Sequence, residues 1–109
     1  MIIQKRCVFI MDAVDAIVSY PVYNNMSDVL VLEIQGDDGE YVIEGRASDD
    51  GVWVPLAGIN VSNYKMSPTQ TSAGVYEYSV IGLRELRAKV ISTSGTVTLL
   101  GQLINSMEG

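Results

Sequence analysis

The sequence predicts an all-β protein, an antiparallel β-sandwich of the jelly-roll, galactose-binding-like or immunoglobulin-like kind. Three observations support this prediction. Apolar and polar residues alternate in short runs along most of the chain, and each run ends in Gly, Asp or Ser. With 48% apolar and 18% charged residues, the composition is typical of a chain that buries a core. A length of 109 residues leaves room for a single domain, taken here as residues 1–109.

The first twenty residues fit two kinds of element. Residues 5–11 fit a strand, whereas Ile10, Val14, Ile17 and Val18 fit one face of a helix. Because Val, Ile and Tyr dominate this region, we predict two short strands. Cys7 is the only cysteine, so the chain forms no internal disulfide, and we expect a small core or half-buried residue there.

Two Asp-Asp-Gly turns divide the middle of the chain. In residues 28–35 one face carries Leu30, Leu32 and Ile34. In residues 40–48 the expected core face carries Tyr41, Ile43 and Ala47, and the expected wet face carries Glu44, Arg46 and Ser48. An Asp-Gly pair supplies the positive φ that a tight hairpin turn needs. The pattern therefore predicts strand, hairpin, strand, hairpin, strand over residues 28–56.

The second half of the chain begins with a polar segment and continues with three strands. Residues 58–74 are rich in Asn, Ser, Thr and Pro, which predicts a long loop with one irregular strand near residues 59–61. Strands are expected at residues 75–81, 86–91 and 96–104. Gly82 permits the corner between the first two. Arg84 and Arg87 are expected to place charge at a sheet edge, which discourages unwanted pairing.

The alternation also assigns side chains to the two faces of these strands. The residues predicted to point inward are Leu32, Ile34, Ile43, Tyr78, Val80, Leu86, Val90, Val97 and Leu99. The apolar residues left on the opposite face are Val29, Val31, Val75, Ile81, Ile91, Leu100 and Ile104. Since monomers rarely leave so much apolar surface in water, we predict a homo-oligomer or a chain that is stable only on a larger particle.

Composition excludes several classes of function. Thirteen acidic residues against seven basic ones give a formal net charge of -6, which repels nucleic acid and anionic lipid. The chain has no histidine, so it has no Ser-His-Asp or Cys-His arrangement and no His-ligated metal site. Lys5, Lys65 and Lys89 lie in no motif that makes a lysine a catalytic base. We therefore expect no enzyme and no catalytic, cofactor-binding or metal-binding residues.

Acidic pairs and aromatic residues are the remaining candidates for a site. Asp37-Asp38 and Asp49-Asp50 precede glycine, which favours turn chemistry, and a loose calcium site between the two turns is the open alternative. Tyr41, Tyr76 and Tyr78 are expected in the core. The aromatic residues beside turns or loops are candidates for a contact surface or a sugar-stacking platform: Tyr20, Tyr23, Trp53 and Tyr64.

Two stretches carry a family resemblance. Residues 42–56 read VIEGRASDDGVWVPL, and residues 78–90 read YSVIGLRELRAKV, followed by SGTVT at residues 94–98. Together they resemble a β-sandwich module of virion structural proteins in tailed bacteriophages and prophages. The Asp-Asp-Gly-x-Trp element also occurs in discoidin-like, galactose-binding-type sandwiches. The match spans residues 28–104, and residues 1–27 fall outside it as a docking arm or additional strands.

The resemblance implies a phage virion structural protein: a capsid decoration, head-fibre or tail-attachment component. Its partners would be other copies of itself, as a trimer by analogy with such proteins, and other virion proteins. No apolar stretch near the N-terminus is long enough for a signal peptide, so we expect synthesis in the host cytoplasm and residence in the virion. The alternative is a carbohydrate-binding module that uses the loop aromatics on a host-surface glycan.

Overall fold

Strands account for the regular structure of the chain, as the alternating pattern predicts. The computed structural model describes residues 2–24 and 26–107, with side chains from residue 11 to residue 105 apart from residue 25. The strands are β1 (Ile2–Ala13), β2 (Ile17–Val18), β3 (Val22–Tyr23), β4 (Val29–Gly36), β5 (Gly39–Arg46), β6 (Val54–Pro55), β7 (Gly58–Asn60), β8 (Met66–Ser67), β9 (Gly74–Ser79), β10 (Glu85–Thr93) and β11 (Val97–Met107). The described residues contain no helix, and so none that is long and apolar enough to cross a membrane.

The strands form two antiparallel sheets that pack face to face. The six-stranded sheet has the order β1-β11-β4-β9-β7-β8. The five-stranded sheet has the order β2-β10-β5-β6, with β3 also paired to β10. The predicted antiparallel β-sandwich is thus confirmed. Residues 2–20 contain two strands, β1 and β2, and no helix. The first of them is not short as predicted, because β1 pairs with β11 from Ile2 to Ala13 and is twelve residues long.

The core lies between the two sheets. All nine residues predicted to point inward are buried there. They are joined mainly by residues from the same strand faces: Ala13, Leu30, Tyr41, Tyr76, Ala88 and Leu103. Alternation predicts these faces correctly because residues that share a face repeat every second position in a strand. Cys7 lies in β1, and its side chain falls outside the described part of the chain.

The first predicted hairpin is wrong. Strands β4 and β5 belong to different sheets, so the turn at residues 37–38 carries the chain across the core. The positive φ falls on Gly36, at 118°, and not on Gly39. A side chain at Gly36 would collide with the main chain of Thr96, whose carbonyl accepts a hydrogen bond of 3.1 Å from the Asp37 amide. The second hairpin is confirmed, since β5 pairs antiparallel with β6.

Strand β5 also departs from the predicted assignment of faces. Ala47 is exposed because the strand ends at Arg46, and Gly45 takes the last core-facing position. A methyl group on Gly45 would lie 2.7 Å from Leu83 Cδ1, so leucine side chains fill the space that a larger residue would need. The predicted wet face is wrong for Glu44, which is only 8% exposed, whereas Arg46 is half-buried and Ser48 is exposed as predicted.

Candidate interaction surfaces

The outer face of the six-stranded sheet carries much of the apolar surface predicted from the sequence. We call this set of residues the apolar face: Val29, Val31, Val75, Leu100 and Ile104. They share a face because residues directly opposite each other in neighbouring strands point to the same side. Ile81 and Ile91 were predicted to belong with them, but Ile81 lies in the turn after β9 and Ile91 lies on β10 of the other sheet.

Acidic residues interrupt the apolar face. Glu33 lies between Leu100 of β11 and Val75 of β9, and Glu77 lies beside Val31 in the next row. Gln35 Nε2 donates a hydrogen bond of 2.7 Å to Glu33 Oε2. In the part of the chain that the structure describes, no cationic side chain pairs with Glu33 or Glu77. The face is therefore both apolar and negatively charged.

A shallow depression opens in the apolar face around Glu33. Its volume is about 210 Å³, and its lining residues are Val31, Glu33, Val75, Leu100 and Gln102. The aliphatic side chains form its apolar surface, while Glu33 and Gln102 contribute the polar atoms. The depression is large enough for one long side chain and offers that side chain both an apolar wall and a carboxylate.

The outer face of the five-stranded sheet has a different chemistry. Arg46 lies opposite Glu85 and Glu44 lies opposite Arg87 in the β5–β10 pairing. Arg46 Nε donates to Glu85 Oε1 at 2.9 Å, and Arg87 Nε donates to Glu44 Oε1 at 2.7 Å. Each ion pair thus bridges two neighbouring strands, and the two carboxylates lie largely out of water.

Trp53 stacks on both of these arginines. The guanidinium carbons of Arg46 and Arg87 lie 4.6 Å and 4.3 Å from the centre of its ring, within the range of a cation–π interaction. The indole ring therefore covers the ladder of ion pairs and is only partly available to a ligand. Sequence reasoning missed this cluster, and it also placed Arg87 at a sheet edge. Strand β10 pairs with β5 on one side and with β2 and β3 on the other.

A second group of exposed residues surrounds Lys89 on the same outer face. Lys89 lies on β10 between Val18 of β2 and Val42 of β5. Val18 is 46% exposed and Ile91, at the β-bulge in β10, is 42% exposed. Among the described side chains, no carboxylate forms an ion pair with Lys89. We call Val18, Lys89 and Ile91 the Lys89 patch.

A crevice of about 470 Å³ opens at one end of the sandwich, where the turns before β4 and before β10 meet. Arg84 forms one wall: its Nε donates to Asp49 Oδ1 at 2.5 Å, and its guanidinium lies 4.9 Å from the centre of the Tyr23 ring. The hydrogen bond with Asp49 is the main reason why the pKa of Arg84 is raised. Met26 and Ile81 are highly exposed at the rim.

Buried Asn24 fixes the shape of this crevice. Its Nδ2 donates hydrogen bonds of 2.9 Å to the carbonyl oxygens of Val80 and Leu83, on either side of the turn. Gly82, with a φ of 80°, lets the chain reverse between these two carbonyls. The corner predicted at Gly82 is present. Just after it, Leu86 belongs to the buried core and Leu83 packs against that core.

The acidic pairs lie far apart in the fold. Asp37-Asp38 and Asp49-Asp50 stand at opposite ends of β5, which at eight residues is about 25 Å long. A calcium site between the two turns is therefore excluded by the geometry. Asp38 O accepts two hydrogen bonds of 2.9 Å from Ser94, and Asp49 pairs with Arg84. Within residues 2–24 and 26–107, no group of three or more His, Cys, Asp or Glu is placed to hold a metal ion.

The candidate aromatic residues do not form one platform. Tyr41, Tyr76 and Tyr78 are buried in the core, as predicted. Tyr64, in the β7–β8 turn, and Tyr20, between β2 and β3, are exposed at different sheets. Trp53 and Tyr23 each have one or more arginines over the ring. Of these four residues, Tyr23 lines a concave surface, the crevice beside Arg84.

Comparison with known proteins identifies the fold. No protein-family model matches this chain, and no curated protein matches it significantly in sequence. The SPBc2 prophage-derived protein YomS is similar in structure, with a TM-score of 0.84 and 17% identity over 96% of each chain. The PBSX exported protein XepA is also similar, with a TM-score of 0.84 and 18% identity over 94% of this chain and 38% of XepA. The sandwich is thus a fold that this chain shares with YomS and with part of XepA.

Proposed function

We propose that this chain is a structural component of a phage or prophage particle that acts through protein–protein contacts. The observation that carries the proposal is the apolar face, which stays at the surface of a chain with a well-filled core. A cluster of apolar side chains at the surface of a small protein, bordered by polar residues, is typical of a contact with another protein. The likeness of fold to the SPBc2 prophage-derived protein YomS supports the same conclusion.

The proposal assigns no catalytic step to the chain. It extends to self-association and to a place in the virion after synthesis in the host cytoplasm. Capsid decoration, head fibre and tail attachment are the three positions that suit a single small sandwich, since each needs a docking surface rather than a reactive site. A partner that covers the apolar face has to match its carboxylates with positive charge, because an unpaired carboxylate buried in an interface costs several kcal/mol, on the order of 2–5.

Mass spectrometry of gradient-purified particles from cells that carry the gene tests the proposal. We expect the chain to sediment with the capsid and tail proteins at a fixed copy number per particle. A capsid protein measured in the same gradient fractions provides the internal standard. The proposal is wrong if the chain is abundant in the lysate but absent from the particle fractions.

A second candidate function, binding of a host-surface glycan, is favoured by the crevice beside Tyr23. The crevice has the volume of a small-ligand site and combines an aromatic ring with the polar side chains of Arg84 and Asp28. A glycan array probed with the wild-type chain and with a Tyr23→Ala variant tests this candidate. Tyr64→Ala is the matched control, because Tyr64 is exposed outside the crevice. Glycan binding that Tyr23→Ala abolishes and Tyr64→Ala retains supports it, and an array without signal removes it.

A further inference from the structure

The molecule carries apolar side chains on both outer faces. The residues of the apolar face are half-buried apart from Val75, which is 36% exposed, and in the Lys89 patch Val18 and Ile91 are 46% and 42% exposed. The apolar face belongs to the six-stranded sheet, and the Lys89 patch belongs to the five-stranded sheet. A two-fold contact between two copies brings the same patch of each copy together, so it covers one patch and leaves the other in water. A head-to-tail contact joins one patch to the other and covers both.

The charges of the two patches are complementary. Glu33 and Glu77 make the apolar face negative, and Lys89 makes the other patch positive. Within the described residues, none of these three groups has an ion-pair partner inside its own chain. Placing the apolar face of two copies together sets carboxylates against carboxylates. A head-to-tail contact instead brings an ammonium group to a carboxylate.

The depression at Glu33 has the shape and chemistry that a lysine needs. Val31, Val75 and Leu100 offer an apolar wall to the aliphatic stem, and the Glu33 carboxylate can accept hydrogen bonds from the ammonium group. Gln35 already donates to one oxygen of this carboxylate, so the acceptor is held in place before the contact forms. Val18 and Ile91 flank Lys89 and can pack on the remaining apolar face.

We propose that copies of this chain associate head to tail, with Lys89 of one copy seated in the depression at Glu33 of the next. This contact rests on the self-association in the proposed function and names the surfaces that form it. A head-to-tail contact repeats from copy to copy: it gives a ring where the rotation between successive copies closes and an open filament where it does not, and every copy with two neighbours uses both patches. The assembly leaves the crevice beside Tyr23 outside the contact.

Light scattering on the purified chain and on charge-reversal variants tests the contact. Wild-type protein at micromolar concentration is expected to be an oligomer that dissociates as salt is raised. Lys89→Glu and Glu33→Lys are each expected to weaken self-association by about tenfold or more, because each variant places like charges together. The double variant restores the opposite charges and is expected to assemble like the wild type.

Mixing the Lys89→Glu variant with the Glu33→Lys variant gives the sharpest result. Neither is expected to assemble alone, but a 1:1 mixture contains two kinds of contact with opposite charges. In one contact the two substituted side chains meet, and in the next the native Lys89 of one variant meets the native Glu33 of the other. The mixture is therefore expected to assemble.

Two further charge reversals are matched controls for these variants. Lys65→Glu and Asp50→Lys reverse exposed charges in turns outside both patches, so they are expected to leave the assembly unchanged. Circular dichroism verifies that each variant is folded. If a charge-reversal variant at position 89 or 33 does not fold, Lys89→Gln or Glu33→Gln takes its place. These substitutions remove the charge without reversing it.

Several outcomes overturn the contact and separate its failure from failure of the proposed function. A wild-type chain that is monomeric at micromolar concentration excludes the head-to-tail contact, but its presence in purified particles would keep the structural role. If the chain is an oligomer that none of the charge reversals weakens, the head-to-tail contact is also excluded, and self-association uses another surface. Absence from the particles, by contrast, overturns the proposed function whatever the variants do.

Discussion

Replacing Tyr78 by Phe is expected to stabilise the protein, and to do so most strongly at high pH. The ring lies in the core, where the residue is 1% exposed. Its hydroxyl has no hydrogen-bond partner of normal geometry among the described residues. The nearby Gln70 amide directs its Nε2 to the carbonyl oxygens of Ser67, at 2.9 Å, and Gly58, at 3.3 Å. The substitution removes an unsatisfied hydroxyl and keeps the packing of the ring.

The size of the effect follows from the pKa of Tyr78, which burial raises from 10.0 to about 12. Between these two pH values the unfolded chain has lost the phenol proton and the folded chain has kept it. The unfolded state therefore binds fewer protons, and the free energy of unfolding falls as pH rises. Two pKa units correspond to about 2–3 kcal/mol, which is present below pH 10 and lost by about pH 12.

Urea unfolding followed by the fluorescence of Trp53 measures the effect at pH 7, 10 and 12. At pH 7 we expect Tyr78→Phe to be more stable than the wild type by about 1 kcal/mol, since a buried unsatisfied polar group costs about 1–3 kcal/mol. The advantage should grow by about 2–3 kcal/mol between pH 10 and pH 12. Tyr64→Phe, at an 82% exposed position, is the control and should show neither change. A difference that stays constant from pH 7 to pH 12 would refute the reasoning, as would a loss of stability at pH 7.

Three further predictions concern the core, the close approach of Gly58 to Tyr78, and the contact of Trp53 with the two arginines. Leu99→Ala and Leu86→Ala should each lower the free energy of unfolding by about 2–5 kcal/mol, because both residues are fully buried; losses below about half a kcal/mol at both would reverse the assignment of strand faces. Gly58→Ala should cost about 1–3 kcal/mol in the same urea assay, since its methyl group would lie 2.6 Å from Tyr78 Cε2. Combining it with a smaller residue at position 78 should recover part of this loss. If the losses of the two single variants simply add in the double variant, the two residues do not clash. Trp53→Ala should cost about 1–3 kcal/mol by removing two cation–π contacts, and Trp53→Phe should cost less; thermal unfolding by circular dichroism measures both, and equal losses would show that stacking contributes nothing.

Sequence reasoning recovered the core because buried positions alternate with less buried ones along β4, β9 and β11, and along β10 as far as Val90. Leu32 and Ile34 in β4, and Val97 and Leu99 in β11, are buried as predicted. The pattern says which side chains share a face, but it does not say which strands share a sheet. The turn after Gly36 illustrates the difference, since its Asp-Asp-Gly chemistry suits a hairpin as well as a crossing between sheets. Hydrogen bonds from residues 94–96, far away in sequence, decide the outcome.

The interaction surfaces were predictable only in part. Alternation marked the apolar face, including Val31 and Leu100, since outward-facing apolar residues are visible in the sequence. The ion-pair ladder under Trp53 was not found, because it depends on the register that sets Arg87 opposite Glu44. That register follows from packing between strands 43 residues apart in the chain. A search for opposite charges at matching positions of two alternating strands would have suggested it.

The position of β11 in the sheet has a consequence for how the chain folds during its synthesis. This strand lies between β1 and β4 in the six-stranded sheet, yet it is the last of the described strands to leave the ribosome. Until residues 97–107 emerge, β1 has no hydrogen-bonded neighbour in its sheet, and one edge of β4 is open to any strand-like segment nearby. Folding of the nascent sheet therefore waits for β11. For the same reason, a synthetic peptide covering residues 97–107 is a natural candidate to complete a truncated chain by strand complementation.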